Sequence, residues 1–128
     1  MSRPFVLIVD DDEMIRSLLS STLPDEGYDL IEAEDGDQAL QISATQRPAL
    51  VLLDWRMPGS SGAEVLSALK ETHPDVPVIV LTAEPEAKVR DQAVSLGADV
   101  FMTKPFSPLQ LLRSVESLLA ERLPDEAS

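Results

Sequence analysis

Four aspartates, a threonine and a lysine are the residues of this sequence whose types and positions suit chemistry. Asp10, Asp11 and Asp12 stand in a row directly after the apolar run Phe5–Val9. Asp54 follows Leu50–Leu53, Thr82 follows Val78–Leu81, and Lys104 follows Val100–Thr103. Brought together, Asp10, Asp11 and Asp54 would crowd negative charge into a small volume. A hard divalent cation relieves that repulsion, and Mg²⁺ suits a site of few carboxylates that retains several waters. Asp54, facing the acidic pair, is then a candidate nucleophile, since a carboxylate can attack phosphorus to give an acyl phosphate. The cation would offset charge on the phosphoryl oxygens. Thr82 offers a hydroxyl donor to one of those oxygens and Lys104 an ammonium to another.

Each residue also has a plainer reading. The aspartate row can cap a helix, where the dipole favours negative charge. Asp54 can be an ordinary polar strand end, Thr82 a β-branched strand residue and Lys104 a solvated loop charge. One aspartate suffices for a cap, and Asp12 is the candidate for it. That leaves Asp10 and Asp11 for the metal.

The elements that must position these groups can be read from the apolar pattern. Phe5–Val9, Leu50–Leu53 and Val78–Leu81 are short and nearly continuous, as expected of strands buried on both faces of a parallel sheet. Tyr28–Ala33 and Val100–Thr103 are weaker and suit edge strands. Helical patterns lie between them. Met14, Ile15, Leu18 and Leu19 share one face; so do Val65, Leu66 and Leu69, and again Leu109, Leu112, Val115 and Leu119. Ala39 and Leu40 mark a further helix after Asp35-Gly36. Ser61 is placed as an N-cap, Ser107-Pro108 reads as an N-cap followed by proline at the first helical position, and Gly97 suits a left-handed helix end.

Strand and helix thus alternate five times. This predicts an α/β fold of the flavodoxin-like kind: an open (βα)5 sandwich with a five-stranded parallel sheet and helices on both faces. Crossovers of this type are right-handed. In such sheets ligands bind outside the carboxyl ends of the strands, where the strand order reverses. With the order 2-1-3-4-5, Asp10, Asp54, Thr82 and Lys104 converge on one rim.

The 128 residues, 44% of them hydrophobic, suit one domain with one core. Residues 1–123 are read as that domain and 124–128 as a polar tail. There are no cysteines, which excludes disulfides and thiolate chemistry. The formal charge of −13 repels phosphate backbones and anionic membranes, so direct nucleic-acid binding and membrane attachment are not expected. The start of the chain lacks the apolar region of a signal peptide, so a cytoplasmic location is expected. His73, the single histidine, is expected in an exposed loop.

With these residues in place, the sequence resembles the receiver domains of bacterial two-component response regulators, the chemotaxis-regulator-like family. The resemblance runs from about Phe5 to Arg122. Val9-Asp10-Asp11 resembles the acidic pair, with Ile15-Arg16 at the usual distance. Leu53-Asp54-Trp55-Arg56-Met57-Pro58-Gly59 resembles the phosphoacceptor segment, with Gly62 following. Leu81-Thr82-Ala83, Gly97-Ala98-Asp99 and Lys104-Pro105-Phe106 complete the set in family order and spacing.

The resemblance implies that Asp54 accepts a phosphoryl group from a histidine kinase, a phosphotransfer protein or a small phosphodonor. Asp10, Asp11, Asp54 and the backbone carbonyl of Arg56 would hold Mg²⁺, with Mn²⁺ as a substitute. Lys104 would bind the phosphoryl group, and its bond to Pro105 would be cis. The domain would catalyse its own phosphorylation and dephosphorylation without being a turnover enzyme. Thr82 and Phe101 would form the switch, Thr82 moving toward the phosphoryl group and Phe101 turning inward. Tyrosine is common at the latter position, so a signal relayed through its hydroxyl is not available here. Arg56 and Glu84 would flank the site and tune phosphoryl lifetime. The face made by 84–96, 100–103 and 108–119 would meet a downstream target or output domain, or a second copy on phosphorylation.

Three other readings compete. Asp10-x-Asp12 superficially fits a haloacid-dehalogenase-like phosphatase, but the late acidic motif such an enzyme needs is not evident. A flavodoxin-like cofactor protein needs a phosphate loop rich in hydroxyls and glycine after the first strand, where this chain has three aspartates. A receiver-like docking module that is never phosphorylated would normally have degraded motif residues, and here they are intact.

Overall fold

The computed structural model describes residues 3–23, 27–57, 60–83 and 87–122. Among them, β1 (Phe5–Val9), α1 (Glu13–Thr22), β2 (Asp29–Ala33), α2 (Gly36–Thr45) and β3 (Leu50–Asp54) are followed by α3 (Gly62–Thr72), β4 (Val78–Thr82), α4 (Ala87–Ser95), β5 (Val100–Thr103) and α5 (Pro108–Arg122). The strands form one parallel sheet in the order β2-β1-β3-β4-β5. The tail 124–128 and Glu84 lie outside the described residues.

Strand periodicity explains the layering. Successive side chains leave a strand on opposite faces. Phe5, Leu7 and Val9, Val51 and Leu53, and Val78 and Val80 join Ala39, Val65, Leu66, Leu69 and Ala93 in a core under α2, α3 and α4. The intervening Val6, Ile8, Leu50, Leu52, Ile79 and Leu81 pack with Leu19, Leu111, Val115 and Leu119 of α1 and α5. All five positions of β1, β3 and β4 are buried. Burial on both faces is why these runs are continuous in sequence, while the edge strands β2 and β5 are only partly covered.

The helix stripes are narrower than the sequence suggests. In α1, Leu19 is buried and Ile15 half-buried, with Leu23 beyond the helix completing the row at i, i+4, i+8. Met14 and Leu18, one residue earlier on the helical wheel, are 80% and 45% exposed. In α5 the buried row is Leu111, Val115 and Leu119. Leu109 is about 200° round from Leu111 at 100° per residue, and stands exposed.

Local signals fix the ends. The Asp12 carboxylate accepts from the Met14 N–H at 2.9 Å, Asp35 caps α2 in the same way, and Ser61 and Glu64 form a reciprocal capping box. The Gln110 N–H donates to Ser107 Oγ at 3.3 Å. Gly97 has φ +106°, a left-handed conformation that closes the end of α4 without the steric cost of a Cβ.

His73 corrects its expectation. It is half-buried rather than exposed, ends α3, and its Nε2 lies 2.8 Å from the Ser43 carbonyl. A carbonyl only accepts, so the proton sits on Nε2 and the ring ties α3 to α2.

Candidate functional site

The sheet register sets the site. Val9 pairs with both Ala33 and Leu53, so Asp10, the next residue, leaves β1 beside Asp54 at the end of β3. Thr82 ends β4 and pairs with Thr103, which directly precedes Lys104. Backbone hydrogen bonds extend the sheet past its strands: Asp10 N–H to Ala33 O at 3.1 Å, Trp55 N–H to Leu81 O at 3.0 Å, and Lys104 N–H to Thr82 O at 2.6 Å. Asp10, Asp54 and Thr82 therefore stand at the ends of strands buried on both faces.

Asp10, Asp54 and Thr82 are buried, whereas Asp11, Asp12 and Arg56 are exposed. One carboxylate oxygen from each of Asp10, Asp11 and Asp54 lies within 4.8 Å of the others. Lys104 reaches into this group, its Nζ 3.0 Å from Asp10 Oδ2 and 3.3 Å from Asp54 Oδ1. The remaining Asp10 oxygen, Oδ1, accepts from the Asp12 N–H at 2.9 Å. Asp12 thus serves α1 and Asp10 at once. The Lys104–Pro105 peptide bond is cis.

Electrostatics follow from this crowding. Burial, and then the negative charge of Asp10, push the Asp54 carboxyl up to about 6, against the pull of the Lys104 ammonium and the Arg56 backbone N–H. Burial disfavours the Lys104 ammonium, but its hydrogen bond to Asp10 and the charges of Asp54 and Asp10 outweigh this and hold its pKa above the usual lysine value. A carboxylate held unwillingly ionised among oxygen donors favours a hard divalent cation. The all-oxygen donor set fits Mg²⁺, and only partly prearranged, because Lys104 already occupies one oxygen each of Asp10 and Asp54.

Other residues brace the site. An added Cβ on Gly62 would lie 2.6 Å from the Trp55 carbonyl oxygen and 2.7 Å from its Cα, while the Gly62 N–H donates to that oxygen at 3.1 Å. Only glycine lets α3 start this close under the segment that carries Asp54. Asp99 accepts from the Val78 N–H at 2.9 Å and from Lys70 Nζ at 3.1 Å, pinning the starts of β4 and β5 at the opposite end of the sheet. Phe101 is half-buried against the α3–α4 core, with the Arg90 guanidinium 5.9 Å from its ring centroid. A groove lined by Trp55, Arg56, Met57, Lys88, Val89 and Gln92 opens beside the Asp54 segment. It brings two of the chain's ten basic residues there. The charge of Arg16, which sequence reasoning noted only for its spacing, joins α1 to the ends of β1 and β2.

Comparison with known proteins agrees with this arrangement. The family model described as response regulator receiver domain matches residues 6–116. The chain is 40% identical over 124 residues to the phosphate regulon transcriptional regulatory protein PhoB of Pseudomonas aeruginosa, covering 95% of this chain and 54% of that protein. It is 40% identical to the alkaline phosphatase synthesis transcriptional regulatory protein PhoP of Bacillus subtilis, covering 89% of this chain and 48% of PhoP. The chain thus spans about half the length of the curated relatives it matches. Among solved structures, the receiver domain of the Francisella response regulator 1452 superposes with a TM-score of 0.85 at 31% identity, covering 92% of this chain and 98% of that one. Vibrio cholerae chemotaxis protein CheY4 gives 0.82 at 31% identity, covering 91% and 99%. Strand order, acidic rim and sequence similarity lead to one assignment: this chain belongs to the response regulator receiver domain family.

Proposed function

We propose that the chain is a phosphorylation-dependent switch that accepts a phosphoryl group on Asp54. The observation that carries this reading is the Asp10–Asp11–Asp54 cluster with Lys104 bridging two of its members. An Asp54 oxygen attacks phosphorus in line, the bond from phosphorus to the donor's leaving atom breaks, and the acyl phosphate remains on Asp54. Lys104, released from its carboxylates, is within reach of a phosphoryl oxygen, and Thr82 at the end of β4 offers its hydroxyl to another. Asp10, Asp11, Asp54 and the Arg56 carbonyl would hold Mg²⁺. The bound ion supplies charge neutralisation at the phosphoryl oxygens. Hydrolysis of the acyl phosphate resets the domain, which is self-catalysed turnover of its own modification rather than conversion of a free substrate.

The switch is proposed to run from Thr82 to Phe101. Drawing Thr82 toward the phosphoryl group opens space that the half-buried Phe101 ring can fill, leaving its place under Arg90. The α4–β5–α5 face then changes for a downstream protein, an output domain or a second copy. The named relatives are transcriptional regulators about twice this length, which favours an output domain. This domain itself, at −13, is unsuited to nucleic acid. The donor is a histidine kinase or phosphotransfer protein, in the cytoplasm. No described helix is long and apolar enough to cross a membrane. Arg56 is proposed to tune phosphoryl lifetime together with Glu84.

The test uses Trp55, the single tryptophan, as reporter. Mg²⁺ followed by acetyl phosphate or beryllofluoride should give two fluorescence steps, with the second lost in Asp54→Asn. If neither addition changes the signal and mass spectrometry finds no added phosphoryl group, the chain is a phosphorylation-independent docking module.

A further inference from the structure

We infer that Arg16 is a positioning residue for the divalent-metal site, acting through the backbone of Asp10 rather than through contact with the ion; this rests on the metal reading above. Arg16 lies in the first turns of α1, and its side chain is only 12% exposed. Its guanidinium donates from one terminal nitrogen to the Asp10 carbonyl at 2.6 Å and from Nε to Glu32 Oε1 at 3.0 Å. The one planar group therefore joins α1, the end of β1 and the penultimate residue of β2. Glu32 is further contacted by the Ser20 hydroxyl at 3.4 Å.

The Asp10 carbonyl belongs to the peptide plane between Asp10 and Asp11. That plane decides where Asp11 leaves the sheet. Asp10 is fixed at each of its other polar groups: the N–H by Ala33, Oδ1 by the Asp12 N–H and Oδ2 by Lys104. Arg16 fixes the carbonyl, the last of them. Asp11, by contrast, is exposed, so its carboxylate is aimed by the backbone that carries it rather than by packing. An arginine suits this task, because its rigid fork holds a carbonyl and a carboxylate together in fixed geometry and stays charged. Partners one step removed from a metal commonly change its affinity 10–100-fold.

The experiment is a Mg²⁺ titration of the chain followed by Trp55 fluorescence and by calorimetry, with stability measured in EDTA. Arg16→Ala should weaken Mg²⁺ binding about 10-fold or more. Arg16→Lys, which keeps the charge but loses the fork, should recover only part of this, and Glu32→Gln, which keeps an acceptor for Nε, should lose less than Arg16→Ala. Leu19→Val, one turn further along the same helix and facing the core, serves as a control for general loosening of α1. It should lose stability yet keep its Mg²⁺ affinity within twofold. The inference is overturned if folded Arg16→Ala binds Mg²⁺ within twofold of the unmodified chain, or if Leu19→Val loses affinity equally. Should Arg16→Ala not fold, Arg16→Lys and Glu32→Gln decide, and wild-type affinity in both overturns it. An unmodified chain that binds no Mg²⁺ overturns the metal reading itself, an outcome distinct from failure of Arg16 alone.

Discussion

Removing the charge of Asp54 should stabilise the metal-free fold. Asp54 has a side chain only 8% exposed and sits beside Asp10, so its carboxyl titrates near 6 in place of 3.8. At pH 7.5 the folded protein holds this group ionised against its preference, at a cost of about 3 kcal/mol if the whole shift counts. The rim is open to solvent, and screening there reduces the gain expected from Asp54→Asn to roughly 1–2 kcal/mol. The asparagine carbonyl can still accept from Lys104, which also keeps its 3.0 Å contact with Asp10. For a domain of this size the midpoint of thermal unfolding should rise by roughly 4–8 °C.

The sign of the pH dependence follows. A carboxyl whose folded pKa is raised penalises the fold fully above about 6 and not at all below 3.8. The advantage of Asp54→Asn should therefore be complete at pH 7.5, shrink through pH 6 to 4, and vanish below. Adding Mg²⁺ at pH 7.5 should narrow the gap from the other side, because an ion bound by the folded state alone stabilises the unmodified chain. Urea unfolding of both proteins in EDTA, followed by circular dichroism at several pH values, measures the difference. A gap equal at pH 7.5 and pH 4.5, or a variant less stable than the unmodified chain at pH 7.5, would refute the argument that crowded charge at this rim is stored as instability.

Four further outcomes are expected. Lys104→Met removes the cation shared by Asp10 and Asp54, so calorimetry should find Mg²⁺ bound at least as tightly while the rate of phosphorylation falls roughly 100-fold, as for loss of a preorganised donor. Gly62→Ala forces a Cβ against the Trp55 backbone and should cost about 1–3 kcal/mol in urea unfolding with an altered Trp55 spectrum. Leu111→Ala opens a cavity in the fully buried row of α5 and should cost about 2–5 kcal/mol with the urea slope unchanged. Asp99→Ala strips partners from the Val78 N–H and Lys70 and should cost about 1–3 kcal/mol, which the same unfolding curves will show, with Mg²⁺ affinity unaffected because the pair lies at the far end of the sheet.

Much of this molecule was legible in one dimension. The continuous apolar runs Phe5–Val9, Leu50–Leu53 and Val78–Leu81 could be satisfied only by burial on both faces, and that requirement dictates a central parallel sheet. Asp12, Ser61, Ser107 and Gly97 marked helix ends because capping is a local interaction between residues two to four apart. The candidate residues Asp10, Asp54, Thr82 and Lys104 were legible because each interrupts or follows an apolar strand, where polarity needs a reason.

The tertiary structure decided what depends on direction and on distant partners. Which leucines of α1 and α5 are buried turned on the angle at which each helix lies on the sheet, so Met14, Leu18 and Leu109 face outward despite their apolar spacing. His73 became a half-buried donor because the Ser43 carbonyl, thirty residues away, stands opposite it. Lys104 was chosen over other lysines as the partner of Asp10 and Asp54 by the register that sets β5 beside β4. Arg16 gained its place in the same way, from the meeting of α1 with the ends of β1 and β2. Short-range pattern determines elements and their ends, because those energies act between near neighbours in the chain. Charge pairing, tautomer and peptide-plane orientation are settled only when the sheet closes the distance between residues far apart in sequence.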